Sequence, residues 1–267
     1  MNAPNQLLHN EIPSLPGAQS IVTIDRSLWS YKGAHGGTVA ASGLAAMQEQ
    51  VPESHRVRVL SVSFLEPVDE RPLLMDVSVN HARRSSSVVS LQAYQDDEVA
   101  LLATATFGRR HDGCRYEGMV MPRVRAPQDC EVLPTPTYPM PIAAHFELRS
   151  ASPVQPLAGG DRAEFLNWVR FTDQRPTDAQ AVVALADTGS PALYGVLTTP
   201  TPIVTAELSL YFTDALDAEP ADEWVLVHSR TEHADDGWSI DTVTLWTPDG
   251  QLLCNSHQTR RILGSGR

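Results

Sequence analysis

Apolar and polar residues alternate along the first part of the chain in a pattern that predicts strands around one helix. Alternation with a period of two indicates half-buried strands. After the first such segment comes a run of small residues that is apolar nearly all round, as expected of a buried helix. The predicted elements are a strand over 20–31, a helix over 38–48, and strands over 56–65, 73–80, 87–94 and 100–107.

The last part of the chain repeats this order of elements. A helix begins at Thr177 or Asp178, either of which suits the N-cap position, and ends at residue 187 before Gly189 and Pro191. The turn Pro248-Asp249-Gly250 predicts a hairpin, because proline pre-sets one turn dihedral and glycine tolerates positive φ. The predicted strands are 163–171, 204–212, 224–229, 238–246 and 252–258.

The stretch between the two parts shows neither period. Eight prolines punctuate it, at positions 122, 127, 134, 136, 139, 141, 153 and 156, so it is interpreted as a linker packed over the surface. A loop of this length favours a domain boundary. The predicted organisation is a lead-in over 1–19, a first domain over 20–108, a linker over 109–160 and a second domain over 161–267.

The two predicted domains also share local sequence. His81-Ala82, four residues and Ser87 recur as His233-Ala234, four residues and Ser239. Leu101-Leu102 matches Leu252-Leu253 once a one-residue difference in the preceding loop is allowed, and Val62-Ser63 matches Leu208-Ser209. A tandem duplication explains these matches, and two unrelated α+β domains with similar strand lengths are the alternative.

Net charge, apolar content and cysteine spacing exclude several classes of protein. A formal net charge of −12 disfavours nucleic acid or an anionic membrane surface as the main partner. Hydrophobic residues make up 42% of the chain, and no apolar run is long enough to span a membrane. Cys114, Cys130 and Cys254 follow no metal or redox spacing, and the segment 1–17 lacks the pattern of a secretory signal. A cytoplasmic protein with reduced thiols is expected.

A buried helix wrapped by an antiparallel sheet, occurring twice, resembles the double hotdog fold, which is an α+β fold. The chain is similar to type II acyl-CoA thioesterases of the thioesterase-like superfamily. The resemblance is most specific at Leu185-Ala186-Asp187, at Val204-Thr205-Ala206-Glu207-Leu208-Ser209 and at the closing segment 249–258. In that family an aspartate, a threonine or serine, and a glutamine at these places hold the hydrolytic water. The resemblance therefore implies Asp187, Thr205 and Gln258 as the catalytic residues. The chain departs from the family in its short linker and in the histidine beside Gln258.

The chemistry of thioester hydrolysis fits these three residue types. The reaction needs an attacking water, a group that accepts its proton, and donors for the oxyanion that forms on the carbonyl. Asp187 can act as the base, while Thr205 and Gln258 can orient the water with neutral hydrogen bonds. Taken singly, each residue has a simpler explanation: a turn aspartate, a strand threonine and a surface glutamine.

Comparison of the two halves predicts one competent site. Phe107 is matched with Gln258, and Met47 or Gln48 lies near the place that corresponds to Asp187. The first half is expected to supply support instead. The backbone amides of Gly36 or Gly37 open its helix, where unpaired N–H groups favour negative charge, although these glycines also suit a plain tight turn.

Other residues are weaker candidates for binding. His35 could contact substrate but is expected to be solvated, and Arg83-Arg84 could meet the phosphates of coenzyme A or form a solvated hairpin tip. The remaining histidines show no ligand spacing, so neither a metal nor another cofactor is expected.

Two other functions stay open. One is hydration or dehydration of an acyl thioester, which needs an aspartate and a histidine together, whereas His35 lies in the other half and ahead of its helix. The other is a protein that binds acyl thioesters without cleaving them. The expected partner is an acyl-CoA or related acyl thioester, and a homo-oligomer is expected from the resemblance.

Overall fold

The computed structural model describes residues 18–134, 140–217 and 224–264, and its strands form one antiparallel sheet wrapped around two helices. Most of the predicted lead-in lies outside the described residues. The helices are α1 (Gly36–Gln48) and α2 (Ala179–Ala186). The strands are β1 (Ala18–Val22), β2 (His55–Phe64), β3 (Leu73–Ala82), β4 (Ser86–Gln95), β5 (Glu98–Arg109), β6 (Glu131–Val132), β7 (Phe146–Ser150), β8 (Glu164–Phe171), β9 (Ile203–Phe212), β10 (Val225–Asp235), β11 (Trp238–Trp246) and β12 (Leu252–Ile262).

The sheet consists of two units with the same internal order. The first unit runs β1-β3-β4-β5-β2, and the second runs β8-β10-β11-β12-β9. The units join where β2 pairs with β9, and Ser61 and Ser209 are partners there with their hydroxyl oxygens 3.3 Å apart. One helix per unit lies against the inner face. This is the tandem hotdog architecture that the sequence predicts.

The register confirms the matched histidines of the two halves. A β-bulge interrupts β3 between Val79 and His81, and the same irregularity interrupts β10 between Thr231 and His233. A bulge inserts an extra residue into one strand and bends it. The duplicated feature is therefore a backbone irregularity as well as a sequence match.

The register contradicts the match of Phe107 with Gln258. Ser87 pairs with Phe107 in the first unit, whereas Ser239 pairs with Arg260 in the second. Phe107 thus corresponds to Arg260, and Gln258 corresponds to Ala105. The sequence match was wrong because the turn between β11 and β12 is longer than that between β4 and β5, not shorter. For the same reason, Leu101-Leu102 of β5 does not correspond to Leu252-Leu253 of β12, and that sequence match was also wrong.

Several predicted elements differ in extent. Strand β1 ends at Val22, well before residue 31, and the chain continues into a short 3₁₀ turn that the Asp25 side chain caps by accepting a 2.8 Å hydrogen bond from the Ser27 amide. Strands β10 and β12 extend beyond their predicted ends. The predicted linker is not wholly irregular, because its strand β7 pairs with β8 and extends the sheet of the second unit.

The apolar core continues from one unit to the other. Leu44 and Met47 of α1 and Leu185 of α2 are fully buried in it. A smaller apolar cluster lies around Trp168 and Trp246, where Met121 and Val124 of the predicted linker pack against them. The linker therefore covers part of the sheet of the second unit, which excludes water from the two indole rings.

An aspartate side chain caps the beginning of helix α2, and a glycine with positive φ follows its end. The Asp178 side chain caps the first turn by accepting a 2.8 Å hydrogen bond from the Ala181 amide. Asp187 is the C-cap, and Gly189 follows with a positive φ of 95°, a conformation that favours glycine. The helix thus stops at Ala186 and places a carboxylate at its last turn.

Candidate active site

Asp187 lies at the end of α2 and faces the beginning of α1. Its Oδ2 accepts a 2.9 Å hydrogen bond from the Gly37 amide, and its Oδ1 accepts one of 3.3 Å from the Thr205 hydroxyl. The side chain is 10% exposed. The free amides and the positive end of the α1 dipole stabilise an anion at this point. Asp187 is therefore held in a nearly buried position between the beginning of α1 and strand β9.

The glycines at the start of α1 allow this close approach. A Cβ on Gly37 would lie 2.9 Å from the Asp187 Cβ and 3.0 Å from the Ala184 carbonyl oxygen, and a Cβ on Gly36 would lie 3.0 Å from Asp187 Oδ2. Because the Gly37 amide already donates to Asp187, this amide is not the oxyanion donor that the sequence suggested. The Gly36 amide keeps that role as a prediction.

His35 is buried beside Asp187, so the expectation of a solvated imidazole is wrong. Its Nδ1 accepts a 3.2 Å hydrogen bond from the Thr38 amide and so caps α1. The proton must then reside on Nε2, which lies 3.0 Å from the Asp187 carbonyl oxygen and 3.7 Å from Oδ2. The imidazole therefore connects the beginning of α1 to the end of α2.

Gln258 reaches the same place from β12. Its Nε2 donates a 3.1 Å hydrogen bond to the Ala186 carbonyl oxygen, directly before Asp187. Its Oε1 is buried and has no hydrogen-bond partner within the described chain. The structure thus brings Thr205 into contact with Asp187, and Gln258 into contact with the residue that precedes it.

A buried ion pair that the sequence analysis missed lies next to these residues. Arg260 Nε is 3.0 Å from Asp241 Oδ2, and Arg260 Nη2 is 3.8 Å from Asp187 Oδ1. Burial raises the pKa of Asp241, and the positive charge of Arg260 opposes that rise. The sequence did contain a sign of this ion pair. Polar residues occupy alternate positions of β11 and β12, on the face that the two-residue period of a strand predicts to be buried.

A cleft lies at the other end of the two helices, where the duplication of the fold places a counterpart of this site. It has a volume of about 210 Å³ and is lined by the end of α1 and the beginning of α2. Gln48 and Gln180 meet there with their side-chain amides 3.3 Å apart, as Asp187 meets Gly37 in the other site. Val57 also lines the cleft and is the counterpart of Thr205, since it pairs with Phe107 as Thr205 pairs with Arg260. The counterpart site thus has an amide where Asp187 lies and an apolar side chain where Thr205 lies.

The remaining candidates lie elsewhere. Arg83 and Arg84 are exposed in the turn between β3 and β4, where the Arg84 carbonyl oxygen is 3.1 Å from His55 Nε2. The three cysteines are free, and burial raises the pKa of the Cys254 thiol. Within the described ranges, no three His, Cys, Asp or Glu side chains group as a metal site requires, and none of the helices has the length and apolarity of a membrane span.

Fold and site together define a tandem hotdog protein with a carboxylate at the junction of its two helices. The family model of the acyl-CoA thioesterase N-terminal domain matches residues 26–108, and that of the acyl-CoA thioesterase C-terminal domain matches residues 127–262. The chain belongs to this acyl-CoA thioesterase family.

Solved structures agree with the fold. A hot dog protein of unknown function from Alicyclobacillus acidocaldarius is 26% identical with a TM-score of 0.85, and the match covers 95% of this chain and 96% of that one. An acyl-CoA thioesterase II from Mycobacterium marinum is 19% identical with a TM-score of 0.69, covering 87% of this chain and 90% of that one. A dehydratase domain from Pseudomonas fluorescens is 14% identical with a TM-score of 0.56, covering 92% and 94%. No curated protein matches the chain in sequence.

Proposed function

We propose that the protein hydrolyses acyl-CoA thioesters with a water molecule held by Asp187, Thr205 and Gln258. The observation that carries this proposal is the fixed position of the Asp187 carboxylate between the Gly37 amide and the Thr205 hydroxyl. Each carboxylate oxygen retains acceptor capacity after one hydrogen bond. Asp187 is therefore positioned to accept a proton from a water that also meets Gln258.

The buried Oε1 of Gln258 supports this arrangement. A buried acceptor without a partner is costly, and the second O–H of the attacking water would satisfy it. With one O–H toward Asp187 and the other toward Gln258, the lone pair of the water oxygen is directed at the thioester carbon.

The reaction then proceeds without a covalent enzyme intermediate. Asp187 takes a proton from water as the water oxygen bonds to the thioester carbon, and the carbonyl oxygen becomes an oxyanion near the Gly36 amide. The C–S bond breaks as the carbonyl reforms, and coenzyme A leaves as a thiolate that then takes up a proton. Because a thiolate is a good leaving group, a strong general acid is not required.

Release of free coenzyme A tests the proposal. The Asp187→Asn variant keeps the shape of the side chain but cannot act as a base, so kcat should fall by about 10²–10⁴-fold. Asp178→Asn is the matched control at the other end of the same helix, because asparagine is an equally good N-cap. Full activity of Asp187→Asn would refute the mechanism. Binding of acyl-CoA by the unaltered protein with no thiol release would identify a binding protein instead.

A dehydratase is the second candidate because the structure brings His35 to 3.7 Å from Asp187 Oδ2. The expectation that His35 lies too far ahead of its helix to meet an aspartate is therefore wrong. However, its Nδ1 accepts from the Thr38 amide and its Nε2 faces the Asp187 carbonyl oxygen, so both nitrogens already have partners. Hydration of an enoyl-CoA, measured as loss of enoyl absorbance without thiol release, would favour this candidate.

A further inference from the structure

Arg260 lies between two aspartates on the inner face of the second unit, and it is closer to one than to the other. Its Nε is 3.0 Å from Asp241 Oδ2, whereas its Nη2 is 3.8 Å from Asp187 Oδ1. The first distance is that of a direct ion pair, and the second exceeds the length of a hydrogen bond. Arg260 therefore places positive charge beside Asp187 without binding it directly.

Asp241 is fixed by residues of its own strand and of the next one. Its side chain is 2% exposed, and the hydroxyls of Thr231 and Ser239 hydrogen-bond to it. Thr231 is its partner on β10, and Ser239 lies two residues before it on β11. The carboxylate thus has little freedom to move, and the guanidinium that it binds is held with it.

The first unit has neither of these charges. Val89 corresponds to Asp241 and Phe107 to Arg260, and both side chains belong to the apolar core. Apolar residues of similar size are often as stabilising as a buried ion pair. The fold can therefore close over apolar side chains at this level, and the ion pair is present only in the unit that carries Asp187.

The Oδ1 atom of Asp187 is the oxygen that faces the sheet. Thr205 of β9 donates to it and Arg260 of β12 approaches it, whereas Oδ2 accepts from the Gly37 amide at the start of α1. Gln258 also lies on β12, two residues before Arg260. A water that meets both Gln258 and Asp187 would therefore bind at Oδ1.

A nearly buried general base has two needs that conflict. It needs positive charge nearby, because a buried charge without a partner is costly. It also needs a free lone pair for the proton of the water. A carboxylate oxygen has two lone pairs, and Thr205 already uses one on Oδ1 of Asp187. A direct hydrogen bond from Arg260 would use the other.

We propose that Asp241 is a positioning residue for hydrolysis, which holds the Arg260 guanidinium away from Asp187 and so keeps Oδ1 free for the attacking water. This inference rests on the proposed function, because it concerns the same base and the same water. Without the charge of Asp241, the guanidinium would need to move by only about 1 Å to form a charge-assisted hydrogen bond with Asp187.

The test is Asp241→Asn, which keeps the shape of the side chain and an acceptor for the two hydroxyls. The kcat for thiol release should fall by about 10-fold or more, because the base loses its free lone pair, while KM should change little. Adding Arg260→Met removes the guanidinium and frees Oδ1 again, so the double variant should recover most of the lost kcat. An unchanged kcat in Asp241→Asn, or a double variant no more active than Asp241→Asn, would overturn the proposal.

Asp217→Asn is the matched control for the loss of an ion pair. The Asp217 side chain is 5% exposed and accepts hydrogen bonds of 2.9 and 2.6 Å from the two terminal nitrogens of Arg58, beside the counterpart cleft. Its loss should lower the free energy of unfolding and leave kcat unchanged. An equal fall of kcat in Asp217→Asn and Asp241→Asn would show that the effect is a general loss of stability and would refute the positioning role.

The same measurements separate this inference from the proposed function. If Asp187→Asn abolishes thiol release while Asp241→Asn does not lower it, the proposed function stands and the positioning role of Asp241 is wrong. If the unaltered protein releases no thiol from any acyl-CoA, the proposed function fails and this inference fails with it.

Discussion

Replacing Gly37 with alanine should separate the Asp187 carboxylate from the start of α1. The added Cβ would lie 2.9 Å from the Asp187 Cβ, 2.9 Å from His35 Cε1 and 3.0 Å from the Ala184 carbonyl oxygen. Carbon atoms in van der Waals contact lie at about 3.5–4.0 Å. The end of α2 and the beginning of α1 must therefore move apart by several tenths of an ångström, and the 2.9 Å hydrogen bond from the Gly37 amide to Asp187 must lengthen.

The expected cost falls on activity more than on folding. A misplacement of about 1 Å at a catalytic group costs on the order of 10²-fold in rate, so a shift of several tenths of an ångström should lower kcat/KM for thiol release by up to about that factor. Loss of the contact with the helix terminus costs about 0.3–2 kcal/mol of stability. Alanine in place of glycine in a helix returns about 1 kcal/mol of this.

Gly43 in the same helix provides the matched control. A Cβ at Gly43 would meet only the Leu91 methyl groups, at 3.6 and 3.9 Å, which are ordinary contacts. Gly43→Ala should therefore leave kcat/KM unchanged and raise the free energy of unfolding by up to about 1 kcal/mol. Equal activity of the two variants would show that the contact between Gly37 and Asp187 does not position the carboxylate for catalysis, and would refute the reasoning.

Two further predictions concern stability. Asp241→Val alone leaves Arg260 buried without its closest partner and should lower the free energy of unfolding by about 3–5 kcal/mol. Adding Arg260→Phe removes the unpaired charge and should recover that loss. Urea unfolding of both variants measures the difference. Burial acts to raise the pKa of Glu147, but hydrogen bonds from Arg170 and Arg149 and their charges outweigh it, so the net pKa is lowered. Glu147 therefore adds stability above its unfolded pKa that is lost as pH falls through the lowered folded pKa. The stability difference between the unaltered protein and Glu147→Gln should shrink on acidification, and a difference independent of pH would contradict this.

Much of the fold was predictable because both units follow simple periods. Alternation located the central strands, and the small apolar residues of the two helices indicated burial. Strand ends were less predictable: β12 continues to Ile262 because β9 and β11 on its two sides pair with it nearly that far. Strand β7 was missed because the prolines around it suggest a loop, and its place is set by pairing with β8.

The candidate site was predictable in part. The family resemblance, not the period, singled out Thr205 and Gln258, because a polar residue on a strand carries no local sign of its partners. The burial of His35 depends on its contact with Asp187, which is distant in sequence. The glycines around His35 therefore could not predict it. Arg260 and Asp241 were missed for a similar reason, since charged residues at inward positions are explained only by each other.

The duplication of the fold leads to one last prediction, that a carboxylate alone does not create a second site. Gln48→Asp would place an acid where α1 meets α2, at the counterpart of Asp187. Yet the neighbouring positions hold Val57 and Ala105, which cannot hydrogen-bond a water, and Gln180 has a side chain where Gly37 has none. Gln48→Asp introduced together with Asp187→Asn should therefore release no more coenzyme A than Asp187→Asn does. Recovery of a tenth or more of the original rate would show that the carboxylate suffices, and that the hydroxyl and amide beside Asp187 do not hold the water.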